Sequence, residues 1–293
     1  MMDLVYSQPS APVVARKPEA DESVRLAGAA LGYLTLLGVA CVTFVWTRGG
    51  QRLDGVFVPR AERGGGYQQR SPLAEPALAV LSFIGDAAIL AVLLVAVLVV
   101  GALTKRLWAG VAGVAIVLCS VGAARILKTL VWRPDLDVLG STTHNSFPSG
   151  HVSAAMALLL AFLLVVPPWA RWWLAVPGAA AVSAVASATM IMGWHRFSDT
   201  VGGILLASAL CCVGAAALTR LRPVSRVDTG RHSHIKTIVG ALAGVLITIL
   251  ALFTDEGLFS AMVAATGVTM LITVSVLSLL DAWWTGEPRP VLR

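Results

Sequence analysis

Long apolar runs separated by short polar stretches set the pattern of this chain. The runs fall at about residues 26–46, 76–103, 107–128, 151–166, 173–194, 200–219, 237–253 and 258–282. A helix that crosses a bilayer needs about 20 apolar residues, and none of these runs shows the period-two alternation of a membrane β-barrel. The pattern therefore predicts an all-α, polytopic membrane bundle of about eight spans. Six make a core at residues 26–219, and two make an accessory C-terminal hairpin at 237–282. The polar stretches divide the rest. Residues 1–25 carry Pro9, Pro12 and Pro18 beside Glu19, Asp21 and Glu22 and present no apolar face, which predicts a disordered cytoplasmic tail. A loop rich in Gly and Arg occupies 47–75, a polar loop with prolines occupies 131–150, a basic loop occupies 220–236, and a short tail occupies 283–293.

Composition supports this division. The chain is 57% hydrophobic and 13% charged, against roughly 25% charged residues in a soluble domain. Its net charge of +6 would suggest nucleic acid in a soluble protein. In a membrane protein, basic residues are used to set orientation, because basic loops stay on the cytoplasmic side. Nucleic acid is therefore set aside as a partner. With the N-terminus inside, the inner segments hold thirteen Lys and Arg residues against the five arginines of the 47–75 loop, with Lys128, Arg133 and Arg196, also outside, assigned to chemistry. That bias predicts a plasma-membrane protein with both termini in the cytoplasm, with membrane lipids as its surroundings. Cys41, Cys119, Cys211 and Cys212 lie in apolar runs without metal spacing, so they are expected to be buried free thiols.

In this topology three polar clusters meet at the outer face: residues 128–134, 148–151 and 195–199. Ionisable groups at membrane helix ends are candidates for function. Pro148-Ser149-Gly150-His151 sits where a loop becomes a helix, and the free N–H groups of a helix start attract anions. Gly150 lets backbone approach an oxyanion, Ser149 adds a hydroxyl, and Lys128 and Arg133 add positive charge suited to phosphate. His151 can act as acid or base near neutrality. His195 and Asp199 are four apart, a helical spacing that sets a carboxylate beside an imidazole and leaves the other ring nitrogen as a nucleophile. Asp86 lies inside the second predicted span, where it either pairs with Arg125, lines the site or stays protonated. Arg125 and Arg196 are further candidate cations.

These motifs resemble the type 2 phosphatidic acid phosphatase superfamily, the lipid phosphate phosphatases related to vanadium haloperoxidases. The resemblance covers roughly residues 76–219 and includes the complete P-S-G-H motif at 148–151 and the His-x3-Asp of a third motif at 195–199. It implies a six-helix core and a phosphatase of bacterial membrane type that needs no metal or other cofactor and acts on a lipid phosphate. His195 would take the phosphoryl group, Asp199 would orient it, and His151 would protonate the leaving oxygen. Lys128, Arg133, Ser149 and Gly150 would hold the phosphate, a polyprenyl pyrophosphate or phosphatidate type being the expected substrate. The first motif departs from the family's usual form: Lys128 stands five residues before Arg133, and Asp135 replaces a second arginine. Ala188-Thr189 stands where the third motif has Ser-Arg, and Arg196 or Arg125 would have to substitute. A phosphotransferase using the same site, or a non-catalytic lipid-binding or transport component, are the alternative expectations.

Overall fold

The structure, a computed structural model, describes residues 19–57, 72–138, 141, 143–221, 230–254 and 257–281. Among them the chain forms ten α-helices: α1 (Glu19–Trp46), α2 (Arg48–Phe57), α3 (Ala74–Gly85), α4 (Ala87–Leu103), α5 (Leu107–Leu130), α6 (Gly150–Val165), α7 (Pro168–Ile191), α8 (Phe197–Leu221), α9 (Gly230–Leu250) and α10 (Gly257–Asp281). A 3-10 turn, Ala251–Phe253, follows α9. The protein is an all-helical, multi-pass membrane protein.

The expected eight spans become six or seven. α1, α5, α7, α8, α9 and α10 are each long and apolar enough to cross a bilayer. The predicted second span is instead two helices, α3 and α4, bent by 58° at a break, and it counts once at most. The cause is local. Asp86 leaves the helical region with φ −72° and ψ 123° and caps α4, accepting the N–H groups of Ala88 at 2.7 Å and Ile89 at 3.1 Å. The predicted fourth span, α6, has 16 residues and is about 24 Å long at 1.5 Å per residue, short of the roughly 30 Å hydrocarbon layer.

Boundaries shift elsewhere too. The predicted N-terminal tail is helical from Glu19, and α2 interrupts the predicted 47–75 loop. The predicted basic loop is helical from Gly230. Residues 1–18, 58–71 of the predicted 47–75 loop, 222–229 of that basic loop and the tail at 283–293 lie outside the described residues.

α8 forms the centre, packed by α1, α5, α6 and α10, and α6 is enclosed by α4, α5, α7 and α8. α10 joins the core through α7 and α8, while α9 packs on α10 and leaves Ile238, Val239, Leu242 and Leu246 exposed, as a lipid-facing helix would. Cys211 and Cys212 are buried, but Cys41 is half-buried and Cys119 exposed, because apolar residues on a membrane helix need not face protein. The bundle brings the end of α5, the start of α6 and the α7–α8 turn to one end. At the other end Arg106 and Arg171 are buried, and their guanidinium groups donate to the carbonyls of Val166 and Leu280.

Candidate active site

A short turn between Ile191 and Phe197 reverses the chain from α7 to α8. Gly193 supplies a φ of 65°, where a side chain would be strained. The Thr189 carbonyl accepts the N–H groups of Trp194 at 3.0 Å and His195 at 3.2 Å. This turn delivers His195 Nδ1 to 3.3 Å from Asp199 Oδ2. The same oxygen accepts the Arg196 N–H at 2.9 Å and the Ser146 hydroxyl at 2.5 Å. Both His195 and Asp199 are buried. Asp199 is thereby held as an acceptor, which favours a proton on His195 Nδ1 and leaves the Nε2 lone pair free. Burial pushes the His195 pKa below its ordinary value; Asp199 opposes this, while Lys128 and Arg196 add to it. The ring is neutral at neutral pH, the form a nucleophile requires.

The 145–151 segment lies against α8. Ser149 N–H donates to the Asp199 carbonyl at 2.8 Å, and Ser149 Oγ caps α6 by accepting Val152 N–H at 3.5 Å. Two small residues permit this approach. A Cβ at Gly202 would lie 2.5 Å from the Phe147 ring, and one at Gly203 would lie 2.8 Å from the Ser149 carbonyl oxygen. Because the second obstacle is backbone, Gly203→Ala is expected to displace the loop and cost about 1–3 kcal/mol, read as a lower Tm in detergent; an unchanged Tm would show that the loop is free to move aside. His151, on the first turn of α6, stands beside the Trp194 indole with ring centroids 5.9 Å apart. A Cβ at Gly85 would meet its Nε2 at 3.3 Å, so the α3–α4 break flanks this histidine. His195 and Lys128 lie within its electrostatic range.

Lys128 is half-buried near the end of α5, its carbonyl accepting Asn145 Nδ2 at 3.4 Å. Arg133 is 0% exposed, and none of its three guanidinium nitrogens has a hydrogen-bond partner among the described residues. Arg196 is also buried and donates Nη1 to Ser146 Oγ at 3.2 Å. The two other sequence candidates do not join this cluster. Arg125 is exposed on α5, and Asp86 is the exposed cap of α4 rather than an ion-pair partner. Where the family motif has a second arginine, Asp135 Oδ1 accepts the Ser141 hydroxyl at 2.6 Å and shapes the 135–141 loop.

Sequence reasoning missed one whole contributor, α2. Gln51, fully buried, donates to the carbonyls of Val45 at 2.7 Å and Pro134 at 2.9 Å, and its Oε1 lies 2.9 Å from Ser141 Oγ. Arg48 Nε donates to the Leu136 carbonyl at 3.3 Å. Asp54, 0% exposed, accepts the Ser198 N–H at 3.1 Å and, through its other oxygen, the Ser198 hydroxyl. Its pKa is raised to about 7 by burial first and Asp199 second, against the pull of Ser198 and Arg196. The available signal was faint: Gln51 and Asp54 stand three apart, on one face of a ten-residue helix.

The arrangement can bind an oxyanion, supply a buried neutral imidazole as nucleophile and hold a second imidazole nearby. Among the described residues no three His, Cys, Asp or Glu side chains form a metal-holding group. Residues 128–223 match the family model described as PAP2 superfamily, a segment that begins at Lys128 and contains every residue of the cluster except those on α2 and Gly85. The fold is similar to the crystal structure of a transmembrane PAP2-type phosphatidylglycerolphosphate phosphatase from Bacillus subtilis. The TM-score is 0.52 at 18% identity, covering 66% of this chain and 98% of that one. No curated protein matches the chain.

Proposed function

We propose, because residues 128–223 match the PAP2-superfamily model, that this protein hydrolyses a lipid phosphomonoester or pyrophosphate through a phosphohistidine. The observation that carries the reading is the buried His195–Asp199 pair facing a cationic cluster that includes Arg133. The Nε2 lone pair of His195 attacks phosphorus as the bond to the lipid oxygen breaks. His151 gives its proton to that oxygen; the negative charge of the bound phosphate favours the protonated imidazole this requires. Asp199 holds the Nδ1 proton and balances the charge that forms on the His195 ring. Water then attacks the phosphohistidine, His151 takes its proton, the P–N bond breaks, and inorganic phosphate leaves. No metal is needed, since Lys128, Arg133, Arg196, the Ser149 hydroxyl and the Gly150 N–H surround the charge on the phosphoryl oxygens.

Arg196 serves in place of the motif arginine absent at Thr189. Its guanidinium is buried within the network, while Thr189 turns its hydroxyl to the Ala186 carbonyl at 2.7 Å. The basic-residue bias supports a cytoplasmic N-terminus and a site at the outer face, with the lipid tail remaining among the helices. Polyprenyl pyrophosphate, phosphatidate and, from the structural neighbour, phosphatidylglycerophosphate are the substrate types to compare. The test is phosphate release by detergent-purified protein over these lipids and lysophosphatidate. Release from at least one of them is expected. Folded protein that releases none, or that passes label only to an added alcohol, would refute hydrolysis.

A further inference from the structure

Asp54 lies outside the matched segment and belongs to a helix the motifs do not include. Its surroundings nevertheless tie it to the site. One carboxylate oxygen takes the Ser198 N–H and the other takes the Ser198 hydroxyl, and Ser198 is the neighbour of Asp199. Electrostatically, Asp54 acts on Arg133, which Arg196 also pushes against. Two guanidinium groups held in one buried place repel each other and need a nearby negative charge. Asp199, with Oδ2 bonded to His195, Arg196 N–H and Ser146 and Oδ1 without a hydrogen-bond partner among the described residues, is the larger negative charge acting on Arg133, and Asp54 adds to it.

We propose that Asp54 is a positioning residue and a second counter-charge, beside Asp199, of the phosphate cradle. It fixes the Ser198 turn that carries Asp199 and offsets the repulsion between Arg133 and Arg196. This rests on the phosphatase reading above and adds a regulatory consequence to it. An ionised Asp54 lowers the positive potential that attracts phosphate; a neutral one does not. The charged groups facing it are Asp199 from α8, Arg196 from the turn before α8 and Arg133 from the loop after α5. α1 and α10, which also pack on α2, bring no charged side chain to this end among the described residues. On α2 itself, Arg48 is turned to Leu136 and Arg52 is exposed. Burial first and Asp199 second push the Asp54 pKa up to about 7 against Ser198 and Arg196, so the carboxyl moves from neutral to ionised as pH rises through neutrality.

The experiment uses the full chain in detergent, with Asp54→Ala and Asp54→Asn. It reads lipid-phosphate turnover and, separately, the Tm shift produced by inorganic phosphate between about pH 6 and about pH 8.5. Asp54→Ala should lower kcat about tenfold. Asp54→Asn should recover most of that loss, since its amide can accept the Ser198 N–H and donate to the hydroxyl. The Asp54→Asn variant should also bind phosphate about tenfold more tightly than wild type at the alkaline end, and the two should converge at the acid end. Wild-type turnover in Asp54→Ala would overturn the positioning role. A ratio of phosphate affinities that stays constant with pH would overturn the counter-charge role, and this arm decides the matter if the alanine variant does not fold. Phosphate binding is read without turnover, so failure of the phosphatase reading is distinguishable from failure here.

Discussion

His195→Ala should reduce phosphate release by about four orders of magnitude or more, since removing a covalent nucleophile leaves only binding and oxyanion stabilisation. The fold should survive the change. Asp199 keeps the Arg196 N–H at 2.9 Å and the Ser146 hydroxyl at 2.5 Å, so its carboxylate is not orphaned when the imidazole goes. The cavity costs about 3 kcal/mol, visible as a lower Tm, while substrate binding persists because the cations are untouched. Initial rates on the best lipid of the panel, alongside the Tm, check both halves. Phosphate release within tenfold of wild type would exclude His195 as nucleophile.

Arg133→Met should separate activity from stability. The guanidinium is 0% exposed, without hydrogen-bond partners among the described residues. Burial, with Arg196 adding to it, pushes the Arg133 pKa down against the opposing charges of Asp199 and Asp54, so the folded protein holds this charge at a net cost. Methionine keeps much of the stem volume and removes the charge, a replacement that is often neutral or stabilising by about 1–4 kcal/mol. The same change removes a phosphate-holding group worth about 10²–10³ in rate. The expected pair of results is a Tm at or above wild type and a kcat/KM lower by about 100-fold. A fall in both would mean that Arg133 is structural. A Tm gain with unchanged kcat/KM would remove it from the site.

Local geometry was more legible in the sequence than the architecture. Pro148-Ser149-Gly150-His151 was legible because a loop-to-helix boundary with a capping serine is a local event, and Ser149 does cap α6. The spacing of His195 and Asp199 was legible because one turn of backbone decides which side chains meet. The count of spans was less legible, since apolar length does not reveal a break. Gly85-Asp86 in mid-run combines a helix-ending glycine with an N-cap acid, but the apolar run on either side of it masks the break. α6 read as a span because its residues are apolar, although protein rather than lipid surrounds it. α2 was hidden for a different reason. Its partners Pro134, Ser141 and Ser198 are 83, 90 and 144 residues away, and no local pattern encodes a contact of that separation. Ser146 shares this fate: its role follows only from Asp199, 53 residues on.

The phosphohistidine itself is the most direct test of the account. Rapid quench of wild-type protein with lipid labelled in its terminal phosphate should trap label on the protein, stable in base and lost in acid, on the peptide that contains His195. Asp199→Asn should slow its formation and His151→Ala its breakdown. Label that reaches inorganic phosphate through a single turnover without passing through the protein would contradict the mechanism, leaving direct attack by water in its place.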